Sequence, residues 1–126
     1  MANVLVADDD EAVRFTVRDF LETAGHSVLE VRNGRECMEV LSRVDGIDLA
    51  VVDIIMPEMD GVDVMREVKR LHPKLPIVVM SGGGRARNLD LLEVAESLGA
   101  DRVLAKPFTQ EQLLAVLRGC LPAGNP

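Results

Sequence analysis

Four short apolar runs in this 126-residue chain end in side chains able to do ionic or hydrogen-bond chemistry. "VLVA" runs into Asp8, Asp9 and Asp10, "LAVV" into Asp53, "IVVM" into Ser81, and "RVLA" into Lys106. One such ending says little, because any strand can run into an acidic turn. Four endings that converge on one rim are harder to obtain by chance. Carboxylates from Asp8, Asp9 and Asp53 gathered in one place repel one another, so positive charge must sit beside them. A divalent cation together with the Lys106 ammonium brings the sum to roughly zero, and an all-oxygen ligand set favours Mg2+ over softer metals. The stretch "DDDEAVRF" lacks the alternating acids and the glycine of a calcium-binding helix–loop–helix, and the chain lacks the paired His and Cys that zinc needs.

Mg2+ keeps several waters and therefore open positions, which suits a site that grips a phosphoryl group. In such a site Asp53 is the expected nucleophile, Ser81 donates a hydrogen bond to one phosphoryl oxygen and Lys106 neutralises another. The product is an aspartyl phosphate. A mixed anhydride of that kind requires a reactive donor such as a phosphohistidine or a small acyl phosphate. Asp10 is expected to do something simpler and, with Glu11, to cap and charge the start of the first helix.

The elements that must position these groups alternate along the chain. Residues 4–7, 27–31, 49–52, 77–80 and 102–105 read as strands, mostly β-branched and without polar alternation, as expected for burial on both faces. Val13, Thr16, Val17, Phe20, Leu21 and Ala24 form one helical stripe, with Gly25 as terminator. Further helices are predicted over 34–43, 62–71, 88–98 and 109–117, stopped by Gly46, by His72 before Pro73, by Gly99 and by Gly119. Five strands alternating with five helices predict an α/β fold, a doubly wound parallel sheet with helices on both faces. Ligands of such sheets gather beyond the carboxyl ends of the strands, where the four polar endings lie.

Composition narrows the function classes. A formal net charge of -7, with 14 basic residues scattered among 21 acids, argues against a nucleic-acid surface. No apolar run approaches membrane-spanning length, and the first residues carry no basic leader. Cys37 and Cys120 lack metal spacing and are expected to be reduced, which places the protein in the cytoplasm. His26 and His72 are read as surface turn and helix-end residues, and "MPEMDG" as turn chemistry around Pro57 and Gly61.

From "VLVADD" through "VVDIIMPEMDG" and "VVMSG" to "AKPF", the chain resembles the receiver domain of bacterial two-component response regulators over almost its whole length. The resemblance implies a flavodoxin-like sheet of order 2-1-3-4-5. It implies Asp53 as phosphoacceptor, Asp9 and Asp53 as direct Mg2+ ligands, Asp8 as a ligand through water, and the backbone carbonyl of Ile55 as a further ligand. Ser81 and Lys106 take the switch hydroxyl and the site lysine, Gly82 adjoins them in the phosphate-binding turn, and the bond from Lys106 to Pro107 is expected to be cis. The implied partners are a sensor histidine kinase or a histidine phosphotransfer protein, and an unidentified downstream protein. Kinases and phosphotransfer proteins of the family usually dock on the first helix and the loop after strand five; Phe15, off the apolar stripe of that helix, is a candidate contact.

Departures from the family pattern shape the expectations. Val103 stands where the family usually has Tyr or Phe, so an aromatic swing is impossible there; the glycines 82–84 are where a response is expected. Ile55 and Gly83 offer no polar side chain to an attacking water, which predicts slow hydrolysis of the phosphate. Ile55 also stands where a Mg2+-dependent phosphohydrolase with an Asp nucleophile typically needs its second acid, which weakens that enzyme reading. The chain is expected to catalyse only its own phosphorylation and dephosphorylation. Residues 1–121 are read as one receiver domain and 122–126 as a flexible tail, without an output domain. Beginning at Met1 and ending in "CLPAGNP", the chain suits a stand-alone receiver, with a piece of a larger regulator or hybrid kinase as the alternative.

Overall fold

The computed structural model describes residues 2–54, 61–81, 93, 96–97 and 99–121. Five strands, β1 (Asn3–Ala7), β2 (Ser27–Val31), β3 (Leu49–Asp53), β4 (Ile77–Ser81) and β5 (Arg102–Ala105), form one parallel sheet in the order β2-β1-β3-β4-β5. Four helices are described: α1 (Glu11–Thr23), α2 (Gly34–Arg43), α3 (Gly61–Leu71) and α4 (Gln110–Cys120). The fourth of the five predicted helices, over 88–98, lies largely outside the described residues; Glu93, Glu96 and Ser97 within it are helical. Ile55, Gly82–Gly84, the "MPEMD" run and the tail 122–126 also lie outside the described residues.

Alternation along the central strands builds two cores. Leu5, Ala7, Ala50, Val52, Ile77 and Val79 face one side, where Cys37 and Leu41 of α2 and Val64, Met65 and Val68 of α3 cover them. Val4, Val6, Leu49, Val51, Val78 and Met80 face the other, against Val17 and Leu21 of α1 and Leu113 and Leu117 of α4. Strands β3 and β4 are buried along their whole length. The expectation of two-sided burial fails for β2 and β5, which are edge strands with exposed or half-buried positions, including Leu29 and Glu30.

Helix boundaries follow local chemistry. The Asp10 carboxylate accepts from the N–H groups of Ala12 and Val13 at 2.9 and 3.4 Å, the expected cap. At the other end of α1, Gly25 adopts φ 95°; its N–H donates to the Glu22 carbonyl and that of His26 to Leu21, which satisfies carbonyls left over by the helix. Helix α2 ends at Arg43, as predicted, while the end of α4 differs from expectation. Extended Val44 caps α2 before Gly46 is reached, and α4 runs through Gly119 to Cys120, carried on by the burial of Leu117 and the packing of Leu121. The α1 stripe is also narrower than predicted: Thr16 and Ala24 are exposed, while Arg14 is buried. His26 is half-buried and accepts the Ala2 N–H at Nδ1, 3.0 Å away; burial lowers its pKa from the ordinary value. His72 follows the last residue of α3, as expected.

Candidate functional site

Register brings the polar strand endings together. The last described pair between β1 and β3 is Ala7 with Val52, so one step further Asp8 and Asp53 stand side by side. Asp8 continues the face of Val4 and Val6, and Asp53 that of Leu49 and Val51, so both carboxylates leave the sheet on the same side. Strand β5 ends at Ala105, paired with Ser81, and Lys106 follows it on the side of Leu104. The Lys106–Pro107 bond is cis, and the Lys106 N–H donates to the Ser81 carbonyl at 2.7 Å.

The Lys106 ammonium lies between two carboxylates. Its Nζ donates to Asp8 Oδ2 at 2.7 Å and to Asp53 Oδ2 at 3.1 Å. Asp8 is wholly buried and Asp53 is 8% exposed, so these charges meet with little water between them. Burial works against the charged lysine, but the hydrogen bond to Asp8 and the charge of Asp53 outweigh it, so the Lys106 pKa is raised. Asp8 is held at every polar atom. Its N–H donates to the Val31 carbonyl at 3.2 Å, Oδ1 accepts the Asp10 N–H at 2.8 Å, and its carbonyl accepts Arg14 Nη1 at 2.7 Å.

Asp8, Asp9 and Asp53 each offer an oxygen within 4.8 Å of the others, a spacing that one small cation can bridge. Asp9 is exposed, and its carboxylate makes no hydrogen bond or ion pair among the described residues. Among the described residues three carboxylates face one ammonium, and the donor set is all oxygen; both features fit Mg2+. Ser81, at the end of β4, has a buried Oγ with no hydrogen-bond partner among the described residues. An orphaned buried hydroxyl is costly, and an oxyanion arriving at the rim would satisfy it.

The geometry thus gathers Asp8, Asp9, Asp53 and Lys106, while Ser81 stands at the next strand end without a side-chain bond to any of them. Val103 is half-buried against the core beneath α2 and α3. Phe15 is 70% exposed on α1. Sequence reasoning missed Arg14, whose guanidinium joins the Asp8 carbonyl to Glu30 of β2. Among the described residues no helix is long and apolar enough to cross a membrane.

Known proteins share this fold. A family model described as "Response regulator receiver domain" matches residues 4–118. Response regulator MprA of Mycolicibacterium vanbaalenii is 37% identical over 127 residues, covering 98% of this chain and 52% of that protein. The chain therefore spans about half the length of the curated relatives it matches. A response regulator receiver domain protein from Clostridium thermocellum superposes with a TM-score of 0.84 at 29% identity, over 95% of this chain and 94% of the other. The chemotaxis protein CheY4 of Vibrio cholerae does so with a TM-score of 0.85 at 28% identity, over 96% and 99%. With the sheet order, the acidic rim and the lysine that spans it all accounted for along one continuous match, this chain belongs to the response regulator receiver domain family.

Proposed function

We propose that this receiver accepts a phosphoryl group on Asp53 from a phosphohistidine, in a Mg2+-dependent reaction, and passes the change on by protein contact. The observation that carries the reading is Asp53 at the sheet rim, 3.1 Å from the Lys106 ammonium and within 4.8 Å of oxygens from Asp8 and Asp9. Asp8, Asp9 and Asp53 would hold the ion, Asp8 through water, with the Ile55 carbonyl as a further ligand. When bound, Mg2+ supplies positive charge that draws the phosphoryl oxygens toward the carboxylates.

The remaining chemistry belongs to the chain. An Asp53 oxygen attacks phosphorus, the phosphorus–nitrogen bond of the donor breaks, and the departing imidazole nitrogen keeps the electron pair. Lys106 pairs with one phosphoryl oxygen and Ser81 donates its hydroxyl to another, with Gly82 next in sequence. With no aromatic at position 103, the response runs through the glycines 82–84 and the backbone. The donor is a sensor histidine kinase or a histidine phosphotransfer protein, docking on α1 at Phe15, and the compartment is the cytoplasm. The unit that acts is residues 1–121.

The test is intact-mass measurement after incubation with Mg2+ and acetyl phosphate. One phosphate adduct on wild type, absent from Asp53→Ala and from wild type in EDTA, is the expected result. An equal adduct on Asp53→Ala refutes the assignment.

A further inference from the structure

Three carboxylates meet at the rim, and two of them are held by other groups: Asp8 by Lys106 and the Asp10 N–H, Asp53 by Lys106. Asp9 has no such support among the described residues, so the direction of its carboxylate is set by its backbone. That backbone begins at the Asp8–Asp9 peptide. The carbonyl of this peptide accepts a hydrogen bond from Arg14 Nη1 at 2.7 Å, and the same guanidinium is fixed through Nε to Glu30 Oε1 at 3.2 Å. Glu30 is held in turn by Arg18 Nη1, 2.7 Å from its other oxygen. On the far side of Asp9, Asp10 is tied to the helix it caps and to Asp8 Oδ1.

From these contacts we infer that Arg14 is a positioning residue for the acidic site: with Glu30 it braces the Asp8–Asp9 peptide and so aims the Asp9 carboxylate at the other two. The inference rests on the reading of Asp8, Asp9 and Asp53 as Mg2+ ligands. The chemistry of the side chain suits that role. A guanidinium presents several N–H donors in a rigid plane, so one buried group bonds a carbonyl on one edge and a carboxylate on another. A lysine ammonium carries charge to the same region but lacks the fork that fixes both partners at once. Partners of metal ligands tune affinity even though they never touch the ion; their loss typically weakens binding by about 10–100-fold.

The test follows Mg2+ binding through the amide resonances of Asp9 and Asp10 in 15N-labelled protein, for wild type, Arg14→Met, Arg14→Lys and Glu30→Ala. Methionine keeps an unbranched apolar stem and removes the donors. Arg14→Met is expected to raise the Mg2+ Kd about tenfold, with Arg14→Lys and Glu30→Ala in between. The rate of acetyl-phosphate labelling at saturating Mg2+ is expected to stay within about twofold of wild type, since mass action restores an ion whose ligands are all still present. An Arg14→Met Kd equal to that of wild type overturns the brace, as does an unchanged Kd with a slower saturated rate. Should Arg14→Met not fold, unchanged affinity in both Arg14→Lys and Glu30→Ala overturns it equally. A wild type whose resonances show no saturable response to Mg2+ overturns the functional reading, and this inference with it; a saturable wild type with an unchanged Arg14→Met overturns this inference alone.

Discussion

Replacing Lys106 by Met keeps the unbranched stem and deletes the ammonium that bonds both Asp8 and Asp53. At its 2.7 and 3.1 Å separations, each contact is worth about 5–6 kcal/mol of Coulomb attraction in an effective dielectric of about 20. Desolvating the lysine, whose side chain is only 17% exposed, and a wholly buried Asp8 returns much of that. Breaking such a pair by removing one partner costs about 3 kcal/mol, because a buried charge is left behind. For a domain of this size that loss lowers Tm by about 10 °C.

The assay is thermal unfolding of wild type and Lys106→Met in EDTA and in Mg2+. The gap is expected to narrow with Mg2+, since the ion supplies the charge that the variant lost and no longer has to displace a lysine. The pH dependence has a definite sign. The Lys106 pKa is raised in the folded protein, so its contribution is fully present below its ordinary value of 10.5 and is lost as pH rises through the folded value. Wild type and variant should therefore differ by a constant amount from neutral pH to about pH 9 and converge in stronger alkali. A variant as stable as wild type in EDTA, or a gap that widens with Mg2+, refutes the charge argument.

Three other substitutions test separate features. Ser81→Ala removes a buried hydroxyl that has no partner among the described residues, so the unphosphorylated protein should be unchanged or more stable by up to about 1 kcal/mol in urea unfolding; a clear loss would mean the hydroxyl already has a structural bond. Phe15→Ala, at a side chain 70% exposed, should alter stability by less than about 0.5 kcal/mol yet slow phosphate transfer from the cognate kinase several-fold; a normal transfer rate removes the docking contact. Gly99→Ala should cost more than about 1 kcal/mol, because φ is +106° there and a new Cβ would lie 3.2 Å from Lys69 Cε; an unchanged Tm would refute the strain.

Much of this architecture was legible because each signal was local. The strand cores are short apolar runs, and a run that ends in Asp or Lys places that residue at the rim wherever the strand lies in the sheet. Asp10 and Gly25 announce the two ends of α1 through chemistry that spans only a few residues. What misled were positions settled by contacts distant in sequence. Glycine is a poor helix residue, yet α4 keeps Gly119 because the side chains of Leu113 and Leu117 already hold the helix on the sheet. Strand β2 looks like a buried strand until its place at the edge is known, and only that place lets Glu30 face α1 half in water.

Arg14 shows the limit most clearly. Period alone puts it next to Val13 and three residues before Val17, on the rim of the apolar stripe, where a charged side chain normally turns to solvent. It is buried instead because two acceptors await it: a carboxylate sixteen residues away on β2, and the carbonyl of a residue that β1 has delivered to the start of the same helix. Neither acceptor alone would repay the desolvation of a guanidinium, and only the folded sheet brings them together. A buried arginine beside a cluster of acids is thus a tertiary feature, and its spacing in the sequence carries no mark of it.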